Sequence, residues 1–228
     1  MALTPDNNYV ITCDLKCGVK QFSVEEFDLV KFYESIFGLE QENGVSFFEI
    51  TDDSQNLIVG DANRKQIYLI SLENQKFEHD FCEDISEIHP DGVDCLCLVK
   101  NTMFLSSKNG VISEISLETR QVINNYTTLL EKGIYNIAPC IKRSLLFVTD
   151  NAGNLLEWSI ESQKTTKSYG KVHSVQIDYM TLSVDGSYLI TKDVDSGVKY
   201  WHIDSQSMGQ NVGYPCDDSL ISILSIKK

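Results

Sequence analysis

Apolar and polar residues along this chain fall into short blocks, and the blocks recur. Val10 to Thr12, Leu57 to Val59, Met103 to Leu105, Leu145 to Val148 and Leu189 to Thr191 are brief runs rich in apolar and branched residues. Turn residues flank them: Pro5-Asp-Asn-Asn, Asp52-Asp-Ser-Gln-Asn and Val184-Asp-Gly-Ser. The pattern predicts strands between tight turns. A second run follows each after about five residues, and Gly18, Gly110, Gly153 and Gly197 lie in those gaps. Such a gap predicts a hairpin, because glycine supplies a positive φ without a steric penalty. A third strand, such as Val122-Ile-Asn-Asn-Tyr126, comes next. A further strand opens the following unit: Val45 to Ile50, Val93 to Val99, Ile134 to Pro139 and Val175 to Leu182.

The blocks are copies of one unit. Residues 1–22, MALTPDNNYVITCDLKCGVKQF, align without a gap on residues 180–201, MTLSVDGSYLITKDVDSGVKYW, and agree at 10 of 22 positions. The most regular element is an apolar residue, usually Ser, a second apolar residue and an acid. It occurs at Phe22-Ser-Val-Glu25, Ile70-Ser-Leu-Glu73, Ile115-Ser-Leu-Glu118, Trp158-Ser-Ile-Glu161 and Trp201-His-Ile-Asp204. The anchors Phe22, Ile70, Ile115, Trp158 and Trp201 are 48, 45, 43 and 43 residues apart. Four antiparallel strands in each unit of this size predict an all-β fold, a β-propeller of five four-stranded blades. The expected blades are 45–82, 93–127, 134–169 and 174–212, with a first blade built from 1–34 and the carboxy-terminal stretch 219–228. Residue 1 aligns with Met180, near the end of an opening strand. Ser219-Leu-Ile-Ser-Ile-Leu-Ser-Ile226 is therefore expected to pair with the first blade and close the ring, which removes exposed sheet edges. The alternative is a piece of a larger propeller.

The last unit resembles the WD-repeat family. His173-Ser opens it, Ser183-Val-Asp-Gly186 occupies the family's turn, and Asp195-Ser-Gly-Val-Lys-Tyr-Trp201 resembles its D-x-x-V-x-x-W run. The resemblance implies a structural role for His173, Asp195 and the anchors, and a buried Asp-His-Ser-Trp hydrogen-bond network. It also implies a subunit of a larger assembly that recruits peptides or domains. The other copies depart from the pattern: three anchors are not Trp, and the Gly-His pair is missing throughout.

Composition narrows the partner. Among 228 residues there are 33 acids and 19 bases, a net charge of −14. Such a surface disfavours nucleic acid and anionic membranes. The acidity is one-sided: residues 1–114 carry 21 acids and 8 bases, residues 115–228 carry 12 and 11. The amino terminus lacks the basic start and apolar run of a signal peptide, and no apolar stretch is long enough to span a bilayer. The seven cysteines are an odd number without a zinc-type spacing, which points to a reducing compartment, cytoplasmic or nuclear. Cys95 and Cys97 share one strand face, as small buried hydrophobes or as metal ligands.

Phosphate-cradling loops and nucleophile elbows are absent from the sequence, so no catalytic residue, cofactor or metal is expected. His79, His89, His173 and His202 are scattered and read as structural or surface residues rather than catalytic ones. Asp14, Asp61, Asp150 and Asp193 each end a second strand. They either form an acidic collar at the channel or bond amides of their own turns. The segment from Glu78 to Asp94 holds Glu78, Asp80, Glu83, Asp84, Glu87, Asp91 and Asp94 and no Lys or Arg. A second acidic passage holds Glu34, Glu40, Glu42 and Glu49, with the apolar Ile36, Phe37 and Leu39. Long loops of this kind carry binding or are solvated surface. The expected function is a non-enzymatic interaction scaffold whose acidic loops bind a basic protein segment. The alternative is a small-ligand or hydrolytic propeller using its channel.

Overall fold

The computed structural model describes residues 1–13, 18–33, 47–61, 66–74, 77–78, 81, 85–130, 133–183, 185–195, 197–205 and 207–208. Its strands form five antiparallel sheets of four, the blades of a five-bladed β-propeller. Blade one holds β1 (Ala2–Leu3), β2 (Tyr9–Cys13), β3 (Val19–Ser23) and β4 (Leu29–Tyr33). Blade two holds β5 (Phe47–Ile50), β6 (Asn56–Asp61), β7 (Gln66–Ser71) and β8 (Phe77–Glu78). Blade three holds β9 (Cys95–Val99), β10 (Thr102–Ser106), β11 (Val111–Ser116) and β12 (Val122–Thr127). Blade four holds β13 (Asn136–Cys140), β14 (Leu145–Thr149), β15 (Asn154–Ser159) and β16 (Lys164–Lys171). Blade five holds β17 (Ile177–Leu182), β18 (Tyr188–Asp193), β19 (Val198–His202) and β20 (Ser207–Met208). The all-β, five-bladed expectation is met.

Two details differ from the expectation of strands and loops alone. A single helical turn, α1 (Ile85–Ile88), forms inside the acidic passage before blade three. Its Ile85 is buried between blades two and three, which anchors the turn. In blade one, residues 2 and 3 themselves take the innermost place, Ala2 opposite Ile11 and Leu3 opposite Val10. Thr181 and Leu182 face Ile190 and Leu189 in the same register, as the alignment of the two ends requires. The expected closing strand, 219–226, lies outside the described residues.

The second strands read as continuous apolar runs because both blade faces are covered. Side chains alternate across a strand, so neighbouring residues serve opposite seams. Leu57 and Val59 pack toward blade one, whereas Ile58 packs toward blade three. Met103 and Leu105 face blade two, and Phe104 faces blade four. Leu146 and Val148 face blade three, and Phe147 faces blade five. Burying each such side chain contributes about 1.5–3 kcal/mol. Trp158, the blade-four anchor, is buried with its ring 4.9 Å from Tyr126 and 6.2 Å from Phe104.

The repeated serine is a turn device. Ser23, Ser71, Ser116 and Ser159 each end a third strand. Each hydroxyl accepts the N–H three residues on, from Glu26, Asn74, Thr119 and Ser162, at 3.1, 3.4, 3.1 and 3.1 Å. In blade five His202 takes the same place, and its Nδ1 accepts the Ser205 N–H at 3.1 Å. The apolar residue that follows sends its N–H to the turn between first and second strands: Val24 to Asn8, Leu72 to Gln55, Leu117 to Asn101, Ile160 to Ser144 and Ile203 to Ser187. One run of four residues thus ties two turns of each blade together.

A second repeat joins the two outer strands. The Tyr33, Tyr126 and Tyr169 hydroxyls donate to Gln21, Glu114 and Glu157 at 2.8, 2.5 and 2.6 Å. Burial pushes the Tyr33 and Tyr126 phenols up to about 12. Blade two has Leu69 and Phe81 at these two places.

Candidate interaction face

The hairpins between second and third strands and the loops entering each blade share one face of the disc. On this face lie Asp150 and Asp193 at strand ends and Glu87, Asp91 and Asp94 in the passage to blade three.

The two strand-end aspartates serve their own turns. Asp150 Oδ1 accepts from the Ala152 and Asn154 amides, both at 2.9 Å, and Oδ2 from the Asn154 side chain at 2.6 Å. Asp193 Oδ1 accepts from the Gly197 and Asp195 amides at 2.7 and 3.1 Å. Both residues are buried. Of the two readings open in the sequence, these two side chains take the local one. Asp14 and the Asp61 side chain lie outside the described residues, as do Asp80, Glu83, Asp84 and the Glu78 side chain. So do Glu34, Glu40, Glu42, Ile36, Phe37, Leu39 and His79.

The buried network that the WD resemblance implies is formed in blade five. The Trp201 indole donates to Thr191 Oγ1 at 3.3 Å. Thr191 Oγ1 lies 2.7 Å from His173 Nε2, and His173 Nδ1 lies 2.7 Å from Asp193 Oδ2. Burial pulls His173 below its ordinary value, and the Asp193 bond opposes this without overcoming it. Burial raises Asp193, but bonds from His173 and the turn amides outweigh it and hold the carboxyl below the usual range. A neutral imidazole therefore donates from Nδ1 to a carboxylate. The acid of the network is Asp193. Asp195, two residues further, is exposed and contributes its backbone N–H to the turn.

Blade three builds a related site without Trp or Asp. His89 is fully buried, with Nδ1 2.8 Å from Ser107 and Nε2 2.7 Å from Ser113. Burial pushes its pKa down to about 4. Ser107 stands where blade five has Asp193, and its hydroxyl donates to Asn109 Oδ1 at 2.7 Å. The Asn109 amide reaches the Ile88 carbonyl at 2.8 Å, which fixes α1 to the hairpin. Both described core histidines are structural in geometry.

Cys95 and Cys97 lie in the apolar seam between blades three and four. Burial pushes the Cys95 thiol up to about 12 and raises Cys97 as well. Thiols so protonated are small hydrophobes in character. Among the described residues no group of His, Cys, Asp or Glu is arranged to hold a metal ion.

What faces the channel mouth is a mixed set that sequence reading missed. Lys108, Ile134, Tyr135, Asn151 and Gln176 line a cavity of about 260 Å³. The polar signal was one residue away: Lys108 and Asn151 directly follow Ser107 and Asp150 in their hairpins. Asp94, half-buried, lies 3.8 Å from the Lys108 ammonium, and burial raises its pKa. Glu87 and Asp91 are exposed beside it. Two glycines of these loops pack closely against neighbouring backbone. At Gly133 (φ +77°) an added Cβ would sit 2.1 Å from the Lys108 carbonyl oxygen. At Gly153 (φ +85°) it would sit 2.4 Å from that of His173.

No helix of the described residues is long and apolar enough to cross a membrane. Searches against family models and curated proteins find no match to the chain.

Proposed function

We propose that the chain is a WD-repeat-like propeller acting as a non-enzymatic interaction scaffold, and that its acidic side binds a basic segment of a partner protein. The observation that carries this reading is the division of charge. Residues 1–114 hold 21 acids against 8 bases, and residues 115–228 are almost balanced at 12 and 11. On five blades in sequence order, that difference becomes a sector. Glu26, Asp28, Asp52, Asp53, Glu87 and Asp91 are exposed within it. Such a field steers a basic partner and fixes its orientation. The buried histidines, each bonded through both ring nitrogens, support a structural rather than catalytic use of the likeliest general bases. Cysteine usage favours a reducing compartment.

The test is capture of partners by the native chain and by E83K/D84K/E87K at two salt concentrations. Recovery should fall in the variant, and wild-type recovery should fall as salt screens the charges. Equal recovery from both proteins would overturn the reading.

A second reading rests on the cavity of about 260 Å³ at the channel mouth, with its ammonium, phenol and two amides. Those groups suit a small polar ligand. A metabolite and glycan screen by thermal shift separates the two, because a ligand bound there raises the melting temperature with its concentration.

A further inference from the structure

The face opposite the candidate loops carries the turns between first and second strands, and here the seam between blades two and three differs from those between one and two and between four and five. Between blades one and two the seam is laced shut. Lys31 Nζ donates to the Leu72 and Glu73 carbonyls at 2.6 and 2.8 Å, and the Tyr33 hydroxyl to Leu72 at 3.0 Å. Between blades four and five Lys142 Nζ donates to the Asp185 carbonyl at 2.7 Å, and Arg143 pairs with Asp204 at 2.6 Å.

Between blades two and three a groove of about 370 Å³ opens instead. Ile58, Leu69, Phe81 and Leu117 form its apolar lining, and Asp52, Asp53, Lys100 and Asn101 are among its polar residues. The cause lies in the outer-strand repeat. Where blades one, three and four place a Gln or Glu bonded to a Tyr, blade two places Leu69 and Phe81, so the polar link is replaced by an apolar pair. The residue corresponding by spacing to Lys31 is His79, outside the described residues.

We propose that this groove docks a partner segment in which an apolar residue is followed by a lysine or arginine. The proposal rests on the basic-partner reading above and gives it a place. The molecule itself supplies the template. Lys31 meets the two carbonyls after the blade-two anchor, and their blade-three counterparts are Leu117, which lines the groove, and Glu118. Phe81 already attracts a cation, since the Arg120 guanidinium lies 5.5 Å over its ring. Lys100 opposes a basic ligand locally. Asp52 and Asp53 at the rim, within the acidic half, favour it. An apolar side chain on the partly exposed Leu69 and Leu117, with Phe81 buried beside them, supplies the anchor, and the base supplies orientation.

The test uses a displayed random-peptide library selected on the whole chain. The most enriched peptide is then measured by fluorescence anisotropy on three proteins: wild type, L69E/F81Y and E87K/D91K. The first variant installs the Glu–Tyr pair already present in blades three and four, and its melting temperature verifies the fold. The enriched peptides should pair an apolar residue with a base, and binding should fall at least about tenfold in L69E/F81Y but by a clearly smaller factor in E87K/D91K, whose acids only steer the base. Basic peptides that bind L69E/F81Y as tightly as wild type, and E87K/D91K less tightly, overturn the groove but leave the basic-partner reading standing. Enriched peptides without bases overturn both.

Discussion

His173 and His89 hold equivalent places but were not equally legible. His173 stands beside a family-like turn and a Trp anchor, so its role was readable. His89 lies in a run of acids that looked like surface, and its partners are serines 18 and 24 residues away. Nothing in the local sequence announces such a pairing. Its environment makes a pH prediction. The folded-state pKa of His89 is about 4, below the unfolded value of 6.5. A group depressed in the folded state stabilises above its unfolded pKa, and that stability is lost as pH falls toward the folded one. His173 is depressed in the same direction. Between pH 6.5 and pH 4 the melting temperature should therefore fall more steeply for wild type than for His89→Asn, as followed by circular dichroism. Parallel curves would show that His89 titrates alike in the folded and unfolded states, which would contradict its burial as a neutral imidazole.

The strands were legible because each repeats the same alternation of apolar runs and turn residues. The serine after each anchor was legible as a recurrence but not as a mechanism, since its partner is a backbone amide that has no letter of its own. Replacing Ser116 by Ala should cost about 0.5–1.5 kcal/mol, and so should Ser159→Ala. The two lie in different blades, so denaturant titration of the double variant should give the sum. A loss in one blade that abolishes the effect in the other would mean that the turns do not act separately. The Tyr–Gln or Tyr–Glu pairs escaped notice although their spacing is constant at 12 residues. Read as single letters they are an ordinary aromatic and an ordinary polar residue. Only the facing strands bring them together, and only then does Leu69 with Phe81 stand out as an exception.

Across the whole molecule, sequence order becomes angular position around a disc, so a charge difference between the chain's halves becomes a difference between sectors. The overall charge was readable at once, whereas its use was not. Two of the acids picked out as a collar are spent on their own hairpins. Glu87 and Asp91 were legible as part of the acidic passage, whereas the exposed Asp52 lies on the opposite face and belonged to no motif. In the proposed complex a basic segment meets this acidic sector. Zero-length carbodiimide coupling tests that most directly, because it joins a carboxylate only to an amine in contact with it. Applied to the native complex and read by mass spectrometry, it should link partner lysines to acids within residues 1–114, Asp52, Asp53, Glu87 and Asp91 among them. Links confined to acids of residues 115–228 would contradict the account.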